Sequence, residues 1–170
     1  MIKKILTSLL LITTTLFLFG QKTAALKRTP YKLKIAVDKT TVYEENLKAV
    51  PFVLPNKSIQ LYPGETLFIE IDQVNGVIKS MKAVKEIKDE SKTVIINLSQ
   101  TVKKKIHELM ILKVTNPFAY KLSFKARIFL LDKKKWVNTD VNPLEPGESG
   151  FETWPDLITS VALGSWAFRK

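Results

Sequence analysis

The chain has 170 residues, 27 lysines and arginines against 16 acids, a formal net charge of +11, one histidine and no cysteine. Without cysteine there is no disulfide and no thiolate nucleophile or ligand, and a lone His107 removes most zinc sites and most Ser-His or Cys-His catalytic designs. The lysine-driven balance points to an anionic glycan, lipid or nucleic acid as partner, or to nothing more than a well-solvated surface.

Residues 1–20 have the form of a signal peptide. Lys3 and Lys4 precede an uncharged apolar and threonine run over 5–19. At about 15 residues the run falls short of the roughly 20 that a membrane-spanning helix needs. Small residues follow, so cleavage is expected after Gly20 or as late as Ala25. The mature chain then has no transmembrane span, and no cysteine follows the run to carry a lipoprotein anchor. An exported chain without cysteine fits a bacterial envelope, periplasmic or extracellular. Residues 21–30 are polar and basic and are expected to form a flexible lead-in to one domain over 31–170.

Alternation with period two then dominates, the mark of half-buried strands. Over 31–37 it places Tyr31, Leu33, Ile35 and Val37 inward and Lys32 and Lys34 outward. Residues 38–48 read as polar loop. Pro51 and Pro55 bound a short apolar strap over 49–54, which suits a sheet edge. A short run at 59–62 leads into the turn Pro63-Gly64-Glu65, and 66–74 is a strand with Leu67, Ile69 and Ile71 inward. Asn75-Gly76 is a strong two-residue hairpin signal, because a type I′ turn needs positive φ at both positions. Residues 77–87 are therefore expected to return as a strand. The spacing of Ile78, Met81, Val84 and Ile87 also fits a helix, and the Asn-Gly pair favours the strand. A strand over 93–98 follows, then a basic connection over 100–106.

Residues 107–131 read HELMILKVT, NPFA, YKLSFKARIFLL. The last run puts Tyr120, Leu122, Phe124, Ala126, Ile128 and Leu130 on one face and Lys121, Ser123, Lys125 and Arg127 on the other. Asn116-Pro117 suits a type I turn, so the two runs are expected to pair as a long antiparallel hairpin. Beyond it come a turn at 132–135, a strand at 136–141, a Pro/Gly-rich loop at 142–150, a short strand at 151–154 and a closing strand at 160–168. About eight or nine strands, with turn signals near every ten residues and no strand–helix alternation, define an all-β antiparallel sandwich. A closed barrel is the alternative.

The phrases LYPGETLFIEI, MILKVTNPFAYKLSFKARIFL and LEPGESGFETW carry a resemblance. Over about residues 59–154 they are similar to the strand and turn grammar of bacterial immunoglobulin-like domains, in which a Pro-Gly-Glu turn opens a core strand. The resemblance implies an immunoglobulin-like sandwich with an adhesive, scaffolding or spacer role, and no catalytic residue carries over.

Three groups of residues are candidate sites. Lys103, Lys104 and Lys105 and Lys133, Lys134 and Lys135 form two triplets in expected turns, and pairing of the 107–131 hairpin would bring them together as one basic patch. Such a patch suits an anionic polysaccharide or an acidic envelope protein. Nucleic acid is not expected, because no exposed aromatics are interleaved with the lysines. Second, no Lys or Arg occurs from Trp136 to Phe168, where Asp140, Glu145, Glu148, Glu152 and Asp156 cluster in sequence. Five carboxylates on neighbouring loops could ligate calcium, although the D-x-D-x-D spacing of a dedicated loop is missing. Third, Trp154 before Pro155 is the best exposed aromatic for a sugar face, followed by Trp136, whereas Trp166 is expected in the core. His107 is expected to be exposed or capping. The leading expectation is a non-enzymatic, exported binding or scaffolding module without cofactor. The alternative is an envelope carbohydrate-active hydrolase, or a calcium-dependent glycan-binding domain, using residues 136–168.

Overall fold

The computed structural model describes residues 25–169, so the expected signal peptide lies outside the described residues. Among the described residues the chain is all-β, with one short 3₁₀ turn at Glu90–Lys92. There are eleven strands rather than eight or nine. In chain order they are β1 (Tyr31–Ala36), β2 (Val42–Leu47), β3 (Ile59–Leu61), β4 (Thr66–Val74), β5 (Val77–Val84), β6 (Thr93–Lys103), β7 (Ile106–Thr115), β8 (Lys121–Leu130), β9 (Lys135–Thr139), β10 (Ser149–Trp154) and β11 (Ile158–Arg169). They form a five-stranded sheet in the order β10-β7-β6-β4-β5, a four-stranded sheet in the order β3-β11-β8-β9, and the separate hairpin β1-β2. Every pairing is antiparallel.

Alternation decides which face is buried along most of the strands, but Ser123, expected on the outer face of β8, is buried and donates to the Ala167 carbonyl at 3.1 Å. Leu67, Ile69 and Ile71 of β4, Val94, Ile96 and Leu98 of β6 and Met110, Leu112 and Val114 of β7 are all buried. They join Leu122, Phe124, Ala126, Ile128 and Leu130 of β8 and Val161 and Leu163 of β11 in one hydrophobic core. Asn75 and Gly76 turn β4 into β5 with φ of 52° and 74°, the type I′ geometry expected of that pair. Residues 77–84 are strand, which removes the helical alternative for that stretch.

The expected 107–131 hairpin does not form. β7 pairs with β6 and β10, and β8 pairs with β11 and β9. The segment from Asn116 to Tyr120 therefore crosses from one sheet to the other. Asn116, 1% exposed, fixes the crossing. Its Nδ2 donates to the carbonyls of Tyr120, Leu144 and Glu145 at 2.8–3.0 Å, and its Oδ1 accepts from Phe118 N at 3.1 Å. A buried amide that satisfies four groups holds a crossover that would otherwise strand backbone polar groups.

Two further segments depart from expectation. Residues 42–47, read as loop, form β2, where Lys32 and Lys34 of β1 both reach the Glu44 carboxylate at 3.1 Å. Residues 26–30, read as a flexible lead-in, are pinned. Arg28 N donates to the Val50 carbonyl at 2.9 Å, and Phe52 N to that of Leu26 at 3.1 Å. The Arg28 side chain is 3% exposed. Its guanidinium forks onto both oxygens of Glu65 and donates to the Gln60 carbonyl at 2.9 Å, with the rings of Phe52 and Tyr62 within 5.1 Å and 4.6 Å of its carbon. Glu65 in turn accepts from Tyr62 N at 3.0 Å. A charge this deep is tolerated only with such complete pairing.

Candidate binding surface

Four connections meet at one end of the sheets, and backbone and side-chain bonds tie them together. His107 N donates to the Val37 carbonyl at the β1-β2 turn (3.4 Å), and Leu131 N, after β8, donates to the Leu157 carbonyl before β11 (2.9 Å). Gln100 of β6 spans the gap to β1. Its Oε1 accepts from Ala36 N at 3.0 Å and its Nε2 donates to the Ala36 carbonyl at 2.7 Å, so one amide substitutes for a ladder pair. That pairing fixes the orientation of the amide. Its remaining N–H therefore points at His107 Nδ1, 3.0 Å away. His107 Nε2 lies 3.1 Å from the Pro155 carbonyl, which can only accept, so Nε2 carries the proton. The lone histidine is a half-buried brace between β1, β6 and the β10-β11 connection.

This end carries the lysines. Lys104 and Lys105 form the two-residue β6-β7 turn with φ of 51° and 68°, and Lys134, with φ of 49°, stands in the β8-β9 turn. Both lysine triplets and Lys39 of the β1-β2 turn are exposed. Among the described residues none of the seven makes an ion pair. The nearby Asp38 is engaged locally. Its Oδ1 accepts from Thr40 N, Thr41 N and Thr40 Oγ1, and these bonds hold its carboxyl below the usual range. Asp132 and Asp156 are exposed in the same connections, so the lysines remain in excess. The two triplets flank the connections tied together at this end, although the 107–131 pairing expected to bring them together is absent. Lys39 was not foreseen, because β2 was not.

Trp136 is half-buried beside the second triplet. Phe129 meets it edge-on at 5.5 Å, and the Arg127 guanidinium lies 5.8 Å from its ring centre. Trp154 is not exposed. It is 8% accessible, opposite the buried Met110 in the β10-β7 ladder, and its Nε1 donates to Thr139 Oγ1 at 3.2 Å. The expected exposure of Trp154 fails because β10 keeps its alternation to its last residue and turns the Trp154 ring inward. Trp166 is half-buried against Phe124, with ring centres 4.7 Å apart.

The five carboxylates disperse. Glu145 pairs with Lys121 at 2.7 Å, and Glu152 accepts from Asn142 N at 3.2 Å. Among the described residues no three acidic or histidine side chains converge in a way that could hold a metal ion. The two main grooves, of about 600 and 390 Å³, include none of the five in their walls.

The geometry defines an all-β protein of antiparallel sheets with a cationic end. In comparison with protein-family models, curated proteins and solved structures, the chain matches none of them. Among the described residues no helix is long and apolar enough to cross a membrane.

Proposed function

We propose that this chain is a non-enzymatic, exported, immunoglobulin-like β-sandwich that binds a polyanionic envelope partner, an anionic polysaccharide above all, through its lysine end. The observation that carries the reading is the set of seven exposed lysines on three turns at one end, none ion-paired among the described residues. Unneutralised like charges on adjacent turns raise the local concentration of an anionic partner and steer its approach. They also cost conformational stability through mutual repulsion, which Asp38, Asp132 and Asp156 in the same connections offset only in part. The sheets supply rigid supports, and His107 with Gln100 fixes the turns relative to one another. The expectation of export comes from Lys3, Lys4 and the uncharged run over 5–19.

The test removes charge without harming the turns. Asn and Gly are the residues that a type I′ turn prefers. Lys104→Asn with Lys105→Gly therefore deletes two cations while retaining the β6-β7 geometry, and Lys133→Gln with Lys134→Asn does the same for the second turn. Binding to dextran sulfate, with neutral dextran as reference, is read by fluorescence titration at two salt concentrations. The fourfold variant is expected to bind at least tenfold more weakly and with a shallower salt dependence, whereas Lys113→Glu/Lys125→Glu, away from this end, changes little. Equal binding by the fourfold variant and the parent overturns the reading.

A further inference from the structure

The larger groove, of about 600 Å³, runs along the free edge of β5. Among the described residues β5 closes the five-stranded sheet and has β4 as its sole ladder partner. Leu26 of the pinned 26–30 segment and Val53 of the 49–54 strap also line it. Met81 and Ala83 stand opposite Ile71 and Ile69 in the ladder, so they point toward the core, yet both stay half-exposed. The core is open along this margin, and the strand beside it offers backbone donors and acceptors that are unpaired among the described residues. Near the hairpin turn the edge is blocked, because Lys57 Nζ donates to the Ile78 carbonyl at 2.8 Å. The open stretch is 79–85.

Charge selects what can enter. Lys79, Lys82, Lys85 and Lys88 follow one another along this margin. Glu70 engages Lys82 at 2.8 Å and Glu86 lies 3.7 Å from Lys88, while Lys79 and Lys85 make no ion pair among the described residues. A second copy docking edge to edge would set lysine against lysine, which is unfavourable across a ladder. An acidic strand meets the opposite condition. We propose that the β5 edge is a strand-addition site for an extended acidic segment of a partner protein. Alternate apolar side chains of that segment cover Met81, Ala83, Leu26 and Val53, and the intervening carboxylates reach Lys79 and Lys85. Backbone bonds to the edge supply affinity, and the apolar floor and the lysines supply selectivity.

The probe is a blocked decapeptide alternating valine and glutamate, compared with a valine–lysine version and with a valine–glutamate version carrying a central proline. At saturation the first peptide is expected to slow hydrogen exchange of alternate backbone amides between residues 79 and 85. The lysine version should bind at least tenfold more weakly, the proline version should lose binding because it breaks the ladder, and Lys79→Glu/Lys85→Glu should reverse the charge preference. The fourfold variant of the lysine end should keep full affinity, which separates this site from the polyanion surface. Absence of protection over 79–85, equal binding of the proline version, or protection confined to the turns at 104–105 and 132–134 overturns the proposal. The peptide series on the unaltered protein decides it even if the double variant does not fold.

Discussion

Arg28→Met tests the deepest electrostatic feature of the fold. The substitution keeps a flexible apolar stem between Phe52 and Tyr62 and removes the guanidinium that forks onto Glu65. The Glu65 side chain is 10% exposed, so its carboxylate would be left largely buried without a cation, with Tyr62 N and the Tyr31 phenol as neutral donors. Breaking one partner of a buried ion pair costs about 3–5 kcal/mol. Against a total stability of about 5–15 kcal/mol, that is a large share. Adding Glu65→Gln removes the stranded charge while its amide oxygen still accepts from Tyr62 N. The double variant should therefore recover about 2 kcal/mol or more of the loss, since a neutral amide carries a far smaller desolvation penalty than a carboxylate. Equilibrium urea unfolding at neutral pH measures all three proteins. A cost below about 1 kcal/mol for Arg28→Met would show that the pinned segment over 26–30 is peripheral. No recovery on adding Glu65→Gln would show that packing of Arg28, rather than its charge, holds the segment.

Two further outcomes follow from the same geometry. Phe124 is 8% exposed and Lys125 points outward, so Phe124→Ala should cost about 3–5 kcal/mol and Lys125→Ala no more than about 0.5 kcal/mol by urea unfolding. Equal damage from the two would mean that the outer face of β8 is also covered. Burial, and then the Glu65 carboxylate, raise the Tyr31 phenol above its usual 10.0. The native protein thus keeps a proton that the unfolded chain loses, and stability that is full below pH 10 falls as the pH rises beyond it. Tyr31→Phe should flatten that fall. Tyr62, raised chiefly by burial, should leave a residual slope, and an unchanged profile in Tyr31→Phe refutes the assignment.

Strands whose one face is buried and whose other is charged were legible in the sequence. Residues 67–71 and 122–130 carry apolar residues at every second position, apart from Phe68 and Phe129 on the other face, and lie within strands. The Asn75-Gly76 turn was legible because its chemistry is local. The partner of a strand is not local information. Five residues, 116–120, can close a hairpin or cross between sheets, and the choice rests on the buried Asn116 amide, whose partners at Leu144 and Glu145 lie far along the chain. β2 escaped notice because only Leu47 of its six residues is buried. Arg28 gave no sign of burial, since its ion-pair partner is 37 residues away and its neighbours are basic and polar. The lysine triplets were legible as runs of charge, but their convergence with Lys39 depends on the β1-β2 hairpin hanging from Gln100.

The position of β11 bears on how the chain can be made. It is the eleventh of eleven described strands, yet it is an interior strand, seated between β3 and β8. Among the described residues, until 158–169 have been synthesised β3 has only the bridge from Val53 to Ile59, and β8 has β9 and the bridge from Leu122 to Leu144. Ile59, Leu61, Ala126 and Ile128 then lack Leu163 and Val161, their cross-strand neighbours. Domains that acquire structure while still on the ribosome do so from early-emerging elements. Here the four-stranded sheet cannot close in step with translation. Its assembly waits for β11, so the edges of β3 and β8 that pair with that strand stay uncovered by it until residues 158–169 have emerged.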